Sequence, residues 1–246
     1  MVRKTERADL HLVRNGLVSS RTKAQSLIMS GKVFLGDKRI DKSGTIVNTE
    51  SKLSIKERDN PWVSRGGLKL EYAIKNFKIN LNELIGLDIG ASTGGFTDVL
   101  LNYRVRKVYS LDVGYGQIAW KLRQDDRVEV IERVNARYLE SSFFKEEIDI
   151  VVCDASFISL KKVLSSTLSF VKPGCKLVAL IKPQFETIRS NIDKGGVVKK
   201  TEIHDQVCQD ISNWLISISW KVLGLVESPL RGPAGNKEFF IYSKKL

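Results

Sequence analysis

The 246-residue sequence predicts an α/β protein, with a small α+β domain ahead of a doubly wound, mostly parallel sheet that has helices on both faces. Two observations support this. After residue 67, short apolar runs alternate with helical stretches, which is typical of such a sheet. Before residue 60, two short predicted helices precede short strands, and positive charge is more concentrated than in the rest of the chain. We therefore predict domains at 1–60 and 68–246, joined by a linker at 61–67 that contains Pro61 and a Gly-Gly pair.

The composition narrows the possible functions. A formal charge of +12 favours a polyanionic partner such as nucleic acid or an anionic membrane face, although a merely soluble basic surface is the alternative. The three cysteines and two histidines lack metal-ligand spacing, so we expect no metal and no disulfide framework. Neither a secretion signal nor an apolar run long enough to span a bilayer is visible, so we expect a cytoplasmic protein without stable membrane insertion.

The first domain begins with two predicted helices, at 7–17 and 20–31, which end near Gly16 and Gly31. Ser19 or Ser20 is a candidate N-cap of the second helix. Residues 32–40 then predict strand, turn and strand, with the bend at Gly36-Asp37, and residues 52–57 predict a further strand.

Basic residues are concentrated in this domain, which holds 13 Lys and Arg against seven Asp and Glu. A solvated charged face is the ordinary explanation for such a run. So many positive charges on so small a body favour nucleic-acid binding instead. The basic residues concerned are Arg7, Arg14, Arg21, Lys23, Lys32, Lys38 and Arg39.

The first domain resembles the S4-type RNA-binding domain. The matching residues are Arg7, Asp9, Leu12, Gly16, Ser20, Arg21, Ala24, Leu27, Ile28, Gly31, Val33 and Gly36. The resemblance implies a folded RNA target that is recognised mainly through phosphates and shape. It implies RNA contacts from Arg7, Arg14, Arg21, Lys23 and Lys32; Arg65, in the linker, is either a further phosphate contact or a surface charge.

The second domain carries seven predicted strands and four predicted helices. The strands are at 84–89, 107–113, 128–132, 148–154, 176–182, 220–226 and 238–243, and the helices at 96–103, 116–123, 157–171 and 203–218. Because the last two strands follow one another closely, we expect an antiparallel strand at the sheet edge.

A glycine-rich loop, LDIGASTGGF at 87–96, follows the first of these strands. Ligands of open parallel sheets bind beyond the carboxyl ends of the strands. The loop lacks the Gly-Lys-Ser/Thr of a phosphate-binding P-loop and the glycine spacing of a dinucleotide loop. Asp88 and Gly90, with Asp112 ending the next strand, suit S-adenosylmethionine, whose ribose hydroxyls Asp112 would bind; ordinary strand-end capping is the alternative role of Asp112.

Asp154 and Lys182 end the fourth and fifth strands, where they would enter one cleft. Neither side chain is easily desolvated unless it is paired or used in chemistry. Methylation of an exocyclic amine tends to use an Asn/Asp-Pro-Pro-aromatic loop, and methylation of a pyrimidine carbon needs a nucleophilic cysteine. The sequence lacks the former, and Cys153 faces away as a core residue. A lysine flanked by carboxylates suits methylation of a ribose 2′-hydroxyl.

The large domain resembles the FtsJ-type RNA ribose methyltransferases, and the whole chain resembles the TlyA family of bacterial rRNA 2′-O-methyltransferases, historically labelled haemolysins. Six stretches carry the likeness: VSRGGLKL, DIGASTGGFTDVLL, DVGYGQIAW, CDASFISL, LIKPQFE and GPAGNKEFF. The resemblance implies methyl transfer from S-adenosylmethionine to a ribosomal RNA nucleotide, expected to be a cytidine, with ribosomal subunits as partners. It implies a catalytic tetrad of Lys69, Asp154, Lys182 and Glu238. It implies cofactor contacts from Asp88, Gly90, Ala91, Ser92, Thr93, Gly94, Gly95, Phe96, Thr97, Asp112 and Asp154.

Simpler roles remain open for some of these residues. Lys69 is alternatively a solvated helix residue, and Glu238 only a brace for a lysine. Two other functions are also open. Lysis of membranes would need a secretion signal and a membrane-active segment, which the sequence does not show. A non-catalytic ribosome-assembly factor would be favoured by loss of a tetrad residue, and all four are present.

Overall fold

A computed structural model describes residues 5–36, 38–55, 60–232 and 234–246. The chain divides into two compact units, Met1–Asn60 and Pro61–Leu246. Each unit is described by itself.

Unit 1 packs two helices against short strands. Its elements are β1 (Thr5–Arg7), α1 (Ala8–Arg14), α2 (Arg21–Met29), β2 (Val33–Leu35), β3 (Lys38–Arg39), β4 (Ile46–Asn48) and β5 (Leu53–Ile55). Strands β1 and β4 form one antiparallel pair, and β3, β2 and β5 form a three-stranded sheet. The Ser20 side chain accepts a hydrogen bond from Lys23 N and caps α2, so Ser20 rather than Ser19 is the cap. The predicted turn residue Asp37, and Lys56 and Glu57 of the last predicted strand, lie outside the described residues.

Both helices bury one apolar side against the strands. Leu12, Ala24, Ile28 and Val33 are inaccessible to solvent and form the centre of this small core. The two helices and the strands β2, β3 and β5 match the predicted pattern, whereas β1 and β4 were not predicted.

Unit 2 is a seven-stranded sheet with helices on both faces. Its elements are α3 (Arg65–Phe77), β6 (Ile85–Ile89), α4 (Gly95–Asn102), β7 (Lys107–Asp112), α5 (Trp120–Arg123), β8 (Val128–Glu132), β9 (Ile150–Cys153), α6 (Leu160–Phe170), β10 (Lys176–Ile181), α7 (Pro183–Glu186), α8 (Thr201–Ser217), β11 (Trp220–Glu227) and β12 (Phe239–Lys245). Two apolar clusters cover the two faces of the sheet. The α/β fold class expected from the sequence is confirmed.

The strand order is β11-β12-β10-β9-β6-β7-β8. Strands β6 to β10 are mutually parallel, and β12 runs antiparallel between β10 and β11. The antiparallel strand is therefore inside the sheet, and the prediction that it lies at the edge is wrong. The strand order matches the exposure of the two strands. Phe240 and Ile241 of the inner strand β12 are inaccessible to solvent, whereas Leu223 and Leu225 of the edge strand β11 are each 45% exposed.

Two local features differ from the sequence pattern. Helix α3 begins at Arg65, within the segment expected to be a linker, because the Ser64 side chain accepts a hydrogen bond from Gly66 N and starts the helix. The predicted helix at 116–123 is reduced to the single turn of α5. The preceding residues form a loop instead, in which Gly116 N donates to the Glu132 carboxylate and Ala119 N donates to the Thr93 carbonyl.

Candidate active site

The carboxyl ends of the central parallel strands bring the four predicted catalytic residues into one cleft. Asp154 follows β9, Lys182 follows β10, and Lys69 lies on α3. Because β12 is antiparallel and pairs Phe239 with Ile181, Glu238 arrives at the same edge from the opposite direction. The four side chains line a cleft of about 270 Å³.

Lys69 and Glu238 form a buried ion pair. The Lys69 ammonium donates to Glu238 Oε2 over 2.6 Å, and the two side chains are 5% and 1% exposed. Lys69 is therefore not a solvated surface lysine. Gly232 leaves room for the carboxylate, because a Cβ at that position would lie 2.6 Å from Glu238 Oε1.

Lys182 is the second buried ammonium of the cluster. Its Nζ lies 2.6 Å from Asp154 Oδ1, an ion-pair distance without hydrogen-bond alignment, and donates to Ser156 Oγ over 2.7 Å. The Lys182 side chain is 8% exposed and that of Asp154 is 22% exposed. Two ammonium groups and two carboxylates thus share one cleft, so each charge is compensated although the side chains are largely desolvated.

A second cleft, of about 510 Å³, adjoins the first. Gly90, Ser92, Asp154 and Ser156 line both clefts. The walls of the second cleft are largely apolar, and Asp112, Gln117 and Asn135 are among its polar residues. An apolar wall for a base and a carboxylate for a sugar are the features that a nucleoside requires.

The glycine-rich loop leaves space at the junction of the two clefts. Gly90 has φ of +81°, and a Cβ there would lie 3.1 Å from the Asp154 carbonyl oxygen. Only glycine fits this position without strain or crowding. These residues fit S-adenosylmethionine, since the larger cleft offers an apolar wall and the Asp112 carboxylate to a nucleoside.

Two backbone hydrogen bonds fix the Asp112 carboxylate in the larger cleft. One carboxylate oxygen accepts from Ser92 N over 2.8 Å, and the other accepts from Gly114 N over 2.7 Å. Each oxygen has a further lone pair, so the carboxylate remains able to accept from the hydroxyls of a ribose.

The predicted cofactor residues divide into two groups. Those that line one or both clefts are Gly90, Ala91, Ser92, Thr93, Gly95, Phe96, Asp112 and Asp154. Asp88, Gly94 and Thr97 line neither. Gly94 packs against α5 instead, because a Cβ at this position would lie 2.3 Å from Leu122 Cδ1.

Asp88 fixes the end of the glycine-rich loop through hydrogen bonds from Thr97. It is inaccessible to solvent, and its Oδ2 accepts from Thr97 N over 2.9 Å and from Thr97 Oγ1 over 2.7 Å. Its Oδ1 has no hydrogen-bond partner among the residues that the structure describes. Burial raises the pKa of Asp88 to about 7, although the hydrogen bonds from Thr97 oppose the shift.

Cys153 is a core residue at the end of β9. It is inaccessible to solvent, and burial raises the pKa of its thiol to about 12. A thiol with so high a pKa is not a nucleophile near neutral pH. This environment does not suit methyl transfer through a covalent cysteine intermediate.

The predicted RNA-binding residues lie in both units. Arg65 is exposed and lines the smaller cleft of unit 2. In unit 1, Arg14, Arg21 and Lys23 are exposed, and Arg7 and Lys32 are half-buried. Arg14 pairs with Glu6 over 2.6 Å, and Arg7 and Arg21 both pair with Asp9.

Several cleft residues were not predicted. Ser64 and Ser156 line the smaller cleft, and Gln117, Asn135 and Phe157 line the larger cleft. Ser156 could have been predicted from the sequence, since it lies two residues after Asp154 on the same loop. The others lie on loops whose path depends on tertiary contacts.

The described part of the chain lacks two kinds of feature. It contains no cluster of three or more potential metal-ligating residues. None of its helices has the length and apolar character needed to cross a bilayer.

Comparisons with known proteins identify both units. Residues 62–245 match the family described as FtsJ-like methyltransferase, and residues 6–53 match the S4 domain. The chain is 40% identical over 237 residues to the Mycobacterium tuberculosis 16S/23S rRNA (cytidine-2′-O)-methyltransferase TlyA, covering 96% of this chain and 88% of that protein. It is 41% identical over 243 residues to Bacillus subtilis YqxC, named as an rRNA methyltransferase, covering 98% of this chain and 86% of that protein.

A solved structure supports the same assignment. A Streptococcus thermophilus protein that carries a hemolysin label has a TM-score of 0.78 and 39% identity, covering 99% of this chain and 90% of that one. The predicted family and cofactor are confirmed. This chain, an S4 domain joined to an FtsJ-like methyltransferase domain, belongs to the TlyA family and is an enzyme whose methyl donor is S-adenosylmethionine.

Proposed function

We propose that this protein methylates the ribose 2′-hydroxyl of a cytidine in ribosomal RNA, with ribosomal subunits as its partners. One observation carries the proposal: a cluster of two ammonium groups and two carboxylates directly adjoins a nucleoside-sized cleft. The activity named for the Mycobacterium tuberculosis relative supports it, as does the S4 domain.

The cofactor supplies an electrophilic methyl group on its sulfonium. Asp112 binds the ribose hydroxyls, and Gly90 and Ser92 hold the loop backbone against the ligand. Asp154 lines both clefts and lies between the cofactor and the catalytic cluster. Because Asp154 lies beside Lys182, these two residues would hold the acceptor hydroxyl within reach of the methyl group that the cofactor supplies.

Lys182 acts on the acceptor hydroxyl. Once the Lys182 ammonium has released a proton to solvent, its neutral Nζ accepts the 2′-hydroxyl proton as the new oxygen–carbon bond forms and the carbon–sulfur bond breaks. Asp154, 2.6 Å away, orients the amine. The Lys69–Glu238 pair completes the cluster, so its two charges position the RNA sugar without leaving either group unpaired.

The test is methyl transfer to purified ribosomal subunits. Full-length protein is incubated with S-adenosylmethionine carrying a labelled methyl group and with separated small and large subunits, and the labelled nucleotide is mapped. We expect label at a ribose 2′-oxygen of a cytidine, and about a hundredfold less with Lys182→Ala. Label on a base, or on the RNA of both variants equally, would refute the proposed chemistry. Binding of subunits without any transfer would favour a non-catalytic assembly factor.

A further inference from the structure

Asp9 is a fully buried carboxylate in the first turn of α1, and five hydrogen bonds converge on it. Arg7 donates to both carboxylate oxygens, through Nε and Nη2, over 3.0 Å each. Arg21 donates to Oδ2 through Nε over 3.0 Å. The Gln25 amide and Leu10 N supply the other two, over 3.1 Å and 3.0 Å. The hydrogen bonds from Arg7 above all hold the pKa of Asp9 far below its usual range.

Arg7 and Arg21 are hydrogen-bonded to Asp9 but remain partly exposed to solvent. Their side chains are 41% and 53% exposed, whereas that of Asp9 is wholly inaccessible. A guanidinium has five N–H donors, and Asp9 engages only some of them. Among the described residues, no acceptor is bound to Nη1 of Arg7 or to either terminal nitrogen of Arg21. Two partly free guanidinium groups are thus fixed to one carboxylate at the surface.

We propose that Asp9 is a positioning residue that clamps Arg7 and Arg21 into a preformed fork for an RNA phosphate. The proposal rests on the proposed RNA-binding function of unit 1 and names the side chain that organises its basic surface. A guanidinium matches a phosphate through two parallel N–H donors, which requires a defined orientation. Without the clamp, each arginine must lose its rotamer freedom when RNA binds.

The clamp and simple electrostatics predict opposite effects of one substitution. Asp9→Asn removes a negative charge from a surface that binds a polyanion, so charge alone predicts tighter binding. If Asp9 instead preorganises the arginines, the same change weakens binding although the unit has become more positive. The sign of the change in Kd therefore distinguishes the two explanations.

The experiment measures binding of the full-length protein to ribosomal RNA extracted from bacterial ribosomes, over a series of salt concentrations. We expect Asp9→Asn to raise Kd about tenfold, as two long side chains are no longer preorganised. The slope of log Kd against log salt concentration should fall by about one for each phosphate that is no longer bound. Asp41→Asn is the matched control: it removes the same charge from an exposed pair with Arg39, and its Kd should stay equal to the parent's or decrease.

A double-mutant cycle separates positioning from a general loss of structure. In a protein that already carries Arg7→Gln and Arg21→Gln, adding Asp9→Asn should change Kd little, because the residues through which it acts are gone. A merely structural role would instead lower the protection of unit 1 backbone amides from hydrogen exchange in Asp9→Asn, in parallel with the rise in Kd. Arg21→Lys, which keeps the charge without the fork, should raise Kd severalfold.

The outcomes distinguish this inference from the proposed function. If the parent protein does not bind the RNA, the proposed function fails and the clamp with it. If the parent binds and Asp9→Asn binds equally or more tightly, the RNA-binding function stands and the clamp is refuted. An undiminished effect of Asp9→Asn in the doubly substituted background, or an Arg21→Lys protein with the parent's Kd, would also refute it.

Discussion

Replacing Asp88 with asparagine should stabilise unit 2 at pH 8 and have little effect at pH 4. The carboxyl is inaccessible, one oxygen lacks a partner among the described residues, and its pKa is raised from 3.8 to about 7, chiefly by burial. Asparagine preserves an oxygen that accepts both hydrogen bonds from Thr97, and it introduces no ionisable group. The cost of ionising Asp88 in the folded state is thereby removed.

The sign follows from proton binding. Between pH 3.8 and about 7 the folded protein holds the Asp88 proton and the unfolded chain does not, so stability falls as pH rises through this window. A shift of about three pKa units corresponds to about 4 kcal/mol at pH 8, of which about 2.5 kcal/mol develops between pH 5 and pH 8. The parent should lose this amount relative to Asp88→Asn over that range.

Urea unfolding of the cofactor-free protein, followed by tryptophan fluorescence at several pH values, measures the difference. All four tryptophans, Trp62, Trp120, Trp214 and Trp220, lie in unit 2, so the signal reports that unit. Other titrating groups are common to both proteins and cancel in the comparison. Equal dependence of the unfolding free energy on pH in the two proteins would refute the assignment of a raised pKa to Asp88.

Three further predictions concern catalysis and binding. Lys182→Ala should reduce methyl transfer about a hundredfold, with Lys182→Arg nearly as inactive because guanidinium stays protonated; the parent rate in a transfer assay would exclude a direct role. Gly90→Val should abolish S-adenosylmethionine binding measured by calorimetry, because its side chain would meet the Asp154 backbone, and unchanged affinity would contradict the loop assignment. Removing residues 1–60 should preserve cofactor binding but weaken RNA binding with a smaller salt dependence, and equal RNA affinity would exclude unit 1 as the anchor.

The sequence was informative wherever function is tied to local pattern. Each strand of the parallel sheet is a short apolar run, so Asp154 and Lys182 could be recognised as the residues that end two such runs. Parallel strands present their carboxyl ends at one edge, and this placed both residues in one cleft without any knowledge of contacts. The glycine-rich loop was equally local, since its spacing excluded two other nucleotide-binding loops.

The pairing of residues that are distant in the sequence could not be predicted from local patterns. Lys69 and Glu238 lie 169 residues apart, and no periodicity indicates that they meet. Their pairing requires β12 to insert between β10 and β11, an order that adjacency in sequence argued against. Strands β1 and β4 have only three residues each, too few to show an alternating pattern.

The insertion of β12 also determines when during synthesis the cluster of Lys69, Asp154, Lys182 and Glu238 can be completed. A chain made only as far as β10 contains Lys69, Asp154 and Lys182 but has neither Glu238 nor the strand that covers β10. Its Lys69 ammonium then lacks the Glu238 carboxylate, and its sheet ends in an uncovered edge. The Lys69–Glu238 ion pair can form only after residue 238 has been added, so this cluster is among the last parts of unit 2 to be completed.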